Sequence, residues 1–480
     1  MRFSQSTVFA ILPALVVARN QGQQFARQHD LNARQNPATG STTTASVPVG
    51  TSASSVSGTA AATPTLATTF TFKLDATNPT AVPLSVINAA QPSSVTKPLD
   101  STAVPGTIPT FIPNAPPLPN AALLNPANYP VLDKVPPVDS PEVKGWIDEV
   151  TATGIVIPSF DPTQPGGCPN NTAAVADTSR CWWTCGGCTR STDVTQCPAP
   201  LNWGLTYDDG PAPYTSNLLS YLDQTNLKST FFVVGSRVIS FPATLQTQFL
   251  GQHHIAVHTW SHPSLTTLTN EQIIAELGWS KKVIKDVLGI TPNLMRPPFG
   301  DIDDRVRAIS MAMGLTPVMW TRISPLATFD TDDFNIHGGI TSVQQVLQNW
   351  ENILGNATTM SNGFIVLEHD LFEQSVEVAT GYILPDALAH NPPFTIKPVI
   401  ECLNKNMADA YIETNDNSTN PPALSAAVSA GVVTVTSAPA SASNTSKSSA
   451  VSGQFNGAGL AYMATVIAGL AVGALLSLPF

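Results

Sequence analysis

Positive charge is scarce in this sequence. It has 22 lysines and arginines against 33 aspartates and glutamates, a net charge of −11 over 480 residues. A nucleic-acid binder needs a basic footprint to neutralise phosphates, so that class of partner is excluded. Charge of either sign is sparse, at 11% of residues. Together with abundant Ser, Thr, Ala and Pro, this is typical of secreted, wall-associated chains. Periodic apolar pattern is missing from about Arg19 to Asn128, which includes a Ser/Thr/Ala/Gly-rich run at 41–69 and a Pro-rich run at 105–119. A segment of that kind cannot bury a core, and residues 19–140 read as an O-glycosylated, disordered stalk or a propeptide.

The two ends do carry apolar runs. Residues 1–18 read as a secretory signal, with Arg2 at the start, an apolar stretch from Val8 to Val17 and small residues before a cleavage point after Ala18. The stretch is too short to span a bilayer. At the other end, residues 404–452 form a second Ser/Thr/Ala-rich linker, and 453–480 end in the uncharged run Gly459 to Phe480. A small-residue spacer followed by a terminal apolar tail predicts a GPI-attachment signal, with attachment near Ser449. Sequons at Asn170, Asn356, Asn417 and Asn444 fit secretion.

Cysteine is confined to six residues: Cys168, Cys181, Cys185, Cys188 and Cys197 close together, and Cys402 far downstream. An even count in a secreted chain implies disulfides. The Cys185-Gly-Gly-Cys188 spacing also fits a redox or zinc motif, but no second matching pair accompanies it. Residues 141–197 are a cysteine-rich lead-in, beginning with a short helix from Pro141 to Val150. Within it Trp182 and Trp183 suit either a small core or a stacking surface for sugar rings.

From Leu201 onward apolar strands alternate with amphipathic helices. Strands are expected at 201–205, 229–235, 254–257, 316–320 and 363–367, and helices at 270–288, 305–313 and 342–354. This alternation indicates an α/β barrel or a doubly wound sheet. Five short signatures fall at or near the element ends. Thr206-Tyr207-Asp208-Asp209-Gly210-Pro211 puts two carboxylates where a strand breaks, one able to bind a metal while the other acts as a base. His258-Thr259-Trp260-Ser261-His262 offers two imidazoles that can converge on one ion. Arg296-Pro297-Pro298-Phe299-Gly300-Asp301 fixes an extended backbone around an arginine suited to clamp a carboxylate. Asp330-Thr331-Asp332-Asp333-Phe334 and Ile365-Val366-Leu367-Glu368-His369-Asp370 complete the series.

Taken in this order, the five pieces resemble the NodB-type polysaccharide deacetylases, carbohydrate esterase family four, and the overall layout is similar to fungal chitin deacetylases. The resemblance covers residues 198–403. It implies a distorted (β/α) barrel flanked by low-complexity segments, and one divalent ion, Zn2+ or Co2+, held by Asp209, His258 and His262. It further implies Asp208 as general base, held ionised and oriented by Arg296. The backbone N–H of Phe299 is implied as an oxyanion donor, and His369 as the acid that protonates the departing amine. Asp330 is the carboxylate expected beside His369, and Leu367 with Phe334 is expected to wall the acetyl pocket. Phe334 departs from the family pattern, which usually has Trp there. A bond from Cys197 to Cys402 would tie the ends of the catalytic domain; the other four cysteines allow three pairings. The implied activity is hydrolysis of the N-acetyl groups of chitin at the cell wall, by a protein tethered to the membrane through a GPI anchor. Another acetylated polysaccharide, or an inactive glycan-binding role on the same fold, is the alternative.

Overall fold

The computed structural model describes residues 70–88, 95–99, 103–325 and 327–415. The signal at 1–18, the sequons at Asn417 and Asn444, and the tail with Ser449 lie outside these residues.

Ten short strands are described: β1 (Asn202–Gly204), β2 (Thr206–Asp208), β3 (Thr230–Val233), β4 (His254–Val257), β5 (Leu294–Met295), β6 (Thr316–Pro317), β7 (Arg322–Ser324), β8 (Ala327–Thr328), β9 (Phe364–Ile365) and β10 (Thr395–Lys397). β2 to β6 lie side by side in sequence order, all parallel. β10, β1 and β9 form a second parallel sheet. The sheets are joined along both sides. β1 and β2 are one run interrupted at Leu205, whose N–H donates to Lys397 O and whose O accepts from Thr230 N–H. On the far side, Thr321 beyond β6 donates to Ile365 O of β9, and Asp208 bridges His369 in parallel. The strands therefore close into a distorted barrel, which leaves few unpaired edges.

Strands buried on both faces read as continuous apolar runs, and β3 and β4 are buried throughout. The helix Asn270–Leu288 begins at a capping box between Thr269 and Gln272 and ends at Gly289, whose φ of 79° lets the chain turn away. Its expected apolar face, Ile273, Ile274, Leu277, Val283, Ile284 and Val287, is buried. Phe232, Ala256, Leu294, Val318 and Ile365 pack with the Cys197–Cys402 disulfide in a separate small core. The other four cysteines pair as Cys168–Cys185 and Cys181–Cys188. Asn170 is exposed, and Asn356 is part-exposed in the last turn of the helix Val343–Ala357.

The chain ahead of the cysteines departs from the expected stalk. Residues 103–140 run along the folded domain, with Ile112 and Leu118 buried in its main core. Such side chains contribute about 2 kcal/mol each. Tyr129 stacks on Trp260 at 6.2 Å, and its hydroxyl donates to Asp286 at 2.7 Å. Trp260 Nε1 donates to Val131 O at 3.3 Å. Prolines and irregular backbone make these contacts aperiodic, so periodicity could not reveal them. The helix Pro141–Ala152 continues the docking, with Trp146 edge-on to Trp279 at 5.5 Å.

Candidate active site

Asp209, His258 and His262 meet where β2 and β4 end. Parallel strands deliver side chains at their carboxyl ends, and the turns that follow aim them. Three of these turn residues, Asp209, Thr259 and His262, adopt φ of 77°, 66° and 60°, as does Phe299 at 59°. Left-handed backbone at a non-glycine residue costs on the order of 1–3 kcal/mol and persists where the surroundings over-determine it. Among those surroundings is Glu276, fully buried on the helix Asn270–Leu288. Its carboxylate accepts from the N–H groups of Trp260 and Ser261 at 2.8 Å each and from Ser261 Oγ at 2.5 Å. Burial raises the Glu276 pKa to about 7 against the pull of these bonds.

His258 Nδ1 donates to Arg296 O at 2.7 Å, because a carbonyl can only accept. Its Nε2 then turns toward Asp209 Oδ1 at 3.3 Å, and His262 Nε2 lies 3.1 Å from the same oxygen. The three ligand atoms are within 4.8 Å of one another, and all three residues are buried. Burial lowers the His262 pKa despite the nearby Asp209 charge, which favours the neutral imidazole that ligates metals. Burial opposes the Asp209 charge, but His262 and His258 overcome it and hold that carboxyl well below its ordinary range. One carboxylate between two imidazole nitrogens, one oriented by a backbone carbonyl, fits a divalent cation.

Asp208 ends β2, with Oδ1 accepting from Arg296 Nη1 at 2.8 Å. Arg296 also donates to Thr206 Oγ1 at 3.0 Å and sits 4.2 Å over the Phe232 ring, so its position is fixed from three sides. Asp208 Oδ2 lies 3.8 Å from His258 Nε2, beside the three-residue cluster.

His369 corrects one expectation. Its carboxylate partner is Asp333, not Asp330. Asp333 Oδ1 bonds His369 Nδ1 at 2.8 Å, and Oδ2 accepts the His369 N–H at 2.9 Å. Asp330 is bridged instead to Leu367, two residues before His369, and its carboxylate accepts from Asp332 N–H at 2.9 Å. Asp333 sits in the short helical turn after it and reaches the ring. Burial and then the Asp332 charge raise the Asp330 pKa to about 7. Burial alone would lower the pKa of His369; the charge and hydrogen bond of Asp333, with Asp209 and Asp208 behind them, raise it to about 10.

Asp208, His258, His262, Asp330 and His369 line one cleft of about 420 Å³, together with Phe299, Phe334, Leu367 and Trp182. Phe299 lies edge-on to His262 at 4.6 Å, and Phe334 edge-on to His369 at 5.1 Å. Trp182 and Trp183 are both buried, Trp182 donating to Asp301 at 2.7 Å and Trp183 packing on Trp320 at 4.5 Å. A larger groove of about 750 Å³ runs between the helices Pro141–Ala152 and Asn270–Leu288, but none of the catalytic candidates line it. Glu276 and Asp333 were missed in the sequence. Glu276 falls on a helix read for its apolar face, and Asp333 is one of three acids within four residues.

The arrangement offers what metal-assisted hydrolysis needs: ligands for one divalent ion beside a candidate base and a candidate acid. The polysaccharide deacetylase family model matches residues 196–318. Chitin deacetylase 1 of Cryptococcus neoformans is 51% identical over 340 residues, covering 70% of this chain and 71% of that one. Chitin deacetylase of Amylomyces rouxii is 39% identical over 238 residues, 44% of this chain and 54% of its own length. Among solved structures, the chitin deacetylase of Colletotrichum lindemuthianum is similar over 97% of its chain and 47% of this one, with 25% identity and a TM-score of 0.41. This chain belongs to the polysaccharide deacetylase family.

Proposed function

We propose that the protein hydrolyses the N-acetyl groups of chitin, releasing acetate and leaving chitosan at the cell wall. The observation that carries this reading is a single cleft lined by His258, His262, Asp208 and His369, with Asp209 behind the two histidines, Arg296 behind Asp208 and Asp333 behind His369.

Asp209, His258 and His262 would hold the divalent ion, zinc or cobalt. Bound there, it supplies Lewis acidity that polarises the acetamide carbonyl and makes water a better nucleophile near neutral pH. Asp208 takes the proton of the attacking water, its orientation fixed by Arg296. The N–H of Phe299 is the donor assigned to the developing oxyanion. His369, kept protonated by Asp333, gives its proton to the departing sugar nitrogen, since an amine anion leaves poorly. Leu367 and Phe334 form the apolar wall for the acetyl methyl. The Ser/Thr-rich flanks and apolar ends of the sequence support secretion and a GPI anchor near Ser449. Release of the protein from membranes by a phosphatidylinositol-specific phospholipase would test the anchor.

Acetate release from chitin oligosaccharides by the full chain tests the activity. The expected result is activity lost to a chelator and restored by zinc or cobalt. No acetate from the folded, metal-loaded protein would overturn chitin as substrate and turn attention to other acetylated polysaccharides or a binding role.

A further inference from the structure

The family match begins at residue 196, yet one wall of the cleft comes from earlier in the chain. Thr163, Gln164, Pro165, Gly166 and Gly167 line it alongside His258 and His262. This loop is firmly built. Thr163 N–H donates to Thr266 O at 2.9 Å, and the two threonine hydroxyls bond at 2.7 Å, four residues past His262. Buried Asn171 braces it from within: Nδ2 donates to Gln164 O at 2.8 Å and Gly167 O at 2.7 Å, while Oδ1 accepts Gln164 N–H at 2.7 Å. Just past the loop, Cys168 is bonded to Cys185. Thr184, next to Cys185, donates to Asp301 at 2.9 Å, at the end of the arginine motif. The backbone of Gly166 runs at φ 105°, and a Cβ there would collide with Asn170.

With its backbone committed to these bonds, the loop turns exposed Gln164 and Pro165 toward the cleft. A neutral amide offers donors and an acceptor without charge, and Pro165 gives a small apolar face. That combination suits the hydroxyls, acetamides and ring faces of an uncharged sugar.

We propose that the loop from Thr163 to Gly167 is a subsite for a second sugar of the same chain, next to the residue being deacetylated. The proposal rests on the polysaccharide deacetylase reading above and adds that a longer, neutral amino-sugar chain is gripped outside the matched domain. In such a site Gln164 contributes one or two hydrogen bonds, worth about a 3- to 10-fold change in binding.

The test uses the full chain, comparing N-acetylglucosamine with a chitin pentamer on wild type and on Gln164→Ala. The expected result is about a 3- to 10-fold lower kcat/KM for the pentamer, carried by KM. Pentamer binding to Asp208→Asn should weaken by a similar factor when Gln164→Ala is added, while binding of the single sugar, which leaves the subsite empty, should not change. Because Gln164 is exposed, the melting temperature should not move, which separates binding from folding. Equal losses on both ligands, or none, would overturn the subsite while leaving the deacetylase reading intact. A wild type that releases no acetate from the pentamer would sink both.

Discussion

Two histidine pairs sit at opposite ends of β4, and only one has the makings of a reaction centre. His253 and His254 lie where the strand begins. His253 Nδ1 accepts the Ser229 N–H at 3.2 Å, and His254 Nδ1 bonds Thr230 Oγ1 at 3.0 Å. Burial pushes both down to about 3, with Lys228 adding to the effect on His253, so they stay neutral fillers. His258 and His262 lie where the strand ends, equally buried, but with Asp209 between them. Residue type and burial are the same at both ends. What differs is a carboxylate in reach and a position at the carboxyl end of a parallel strand, where turns are free to carry chemistry.

Removing the carboxylate should erase the difference. Asp209→Ala, or His262→Ala, is expected to abolish metal binding and activity together, measured by metal content and acetate release. Retained stoichiometric metal in Asp209→Ala would contradict the comparison. Asp208→Asn sharpens it from the side: metal binding should persist while kcat falls by about 10²- to 10⁴-fold. Substantial activity in that variant would remove Asp208 as base.

Glu276→Met asks whether the ligand turn needs its brace. A thioether of similar size replaces the acceptor of all three bonds from Trp260 and Ser261, and metal affinity should weaken by about 10- to 100-fold in a chelator competition. Unchanged affinity would show that the turn holds itself. Asp333→Asn removes the charge that keeps His369 protonated, leaving burial, which lowers its pKa, less opposed. With His369 as the acid, the alkaline limb of kcat/KM should move toward neutral pH in this variant. A limb that stays in place would deny His369 the acid role.

The smallest effect belongs to the other pair. His254→Gln should leave metal affinity alone and cost about 1–3 kcal/mol of stability in chemical denaturation. The folded-state pKa of His254 is depressed, so wild-type His254 loses stability as pH falls from about 6.5 toward about 3, and Gln does not. The gap between the two proteins should therefore narrow over that interval.

The site was legible where chemistry sits on a sequence break. Asp208, Asp209, His258, His262 and His369 each follow an apolar strand and precede a turn, and they share one cleft with the exception of deeply buried Asp209, which faces the two histidines. The helix Asn270–Leu288 was legible to its ends because its period and caps agree. Asp333 was not, because the choice among neighbouring acids depends on the register that pairs Asp330 with Leu367. Nor was Glu276, whose three bonds join residues 15 and 16 positions apart. The docking of residues 103–140 left no periodic trace, since prolines and isolated apolar residues do the packing.

That docked segment sets the size of the portable unit. Trp260 lies between the two histidine candidates in sequence, and it is covered by Tyr129 and bonded by Val131. A fragment cut at residue 196, where the family match starts, would strip both away and leave Trp260 and Trp279 without that cover. The catalytic ring is thus not a module that can be lifted out at its family boundary; grafts and truncations need to carry the chain from about residue 70 with them, since Ile87 is buried in the same core and Val82 O accepts from Tyr382.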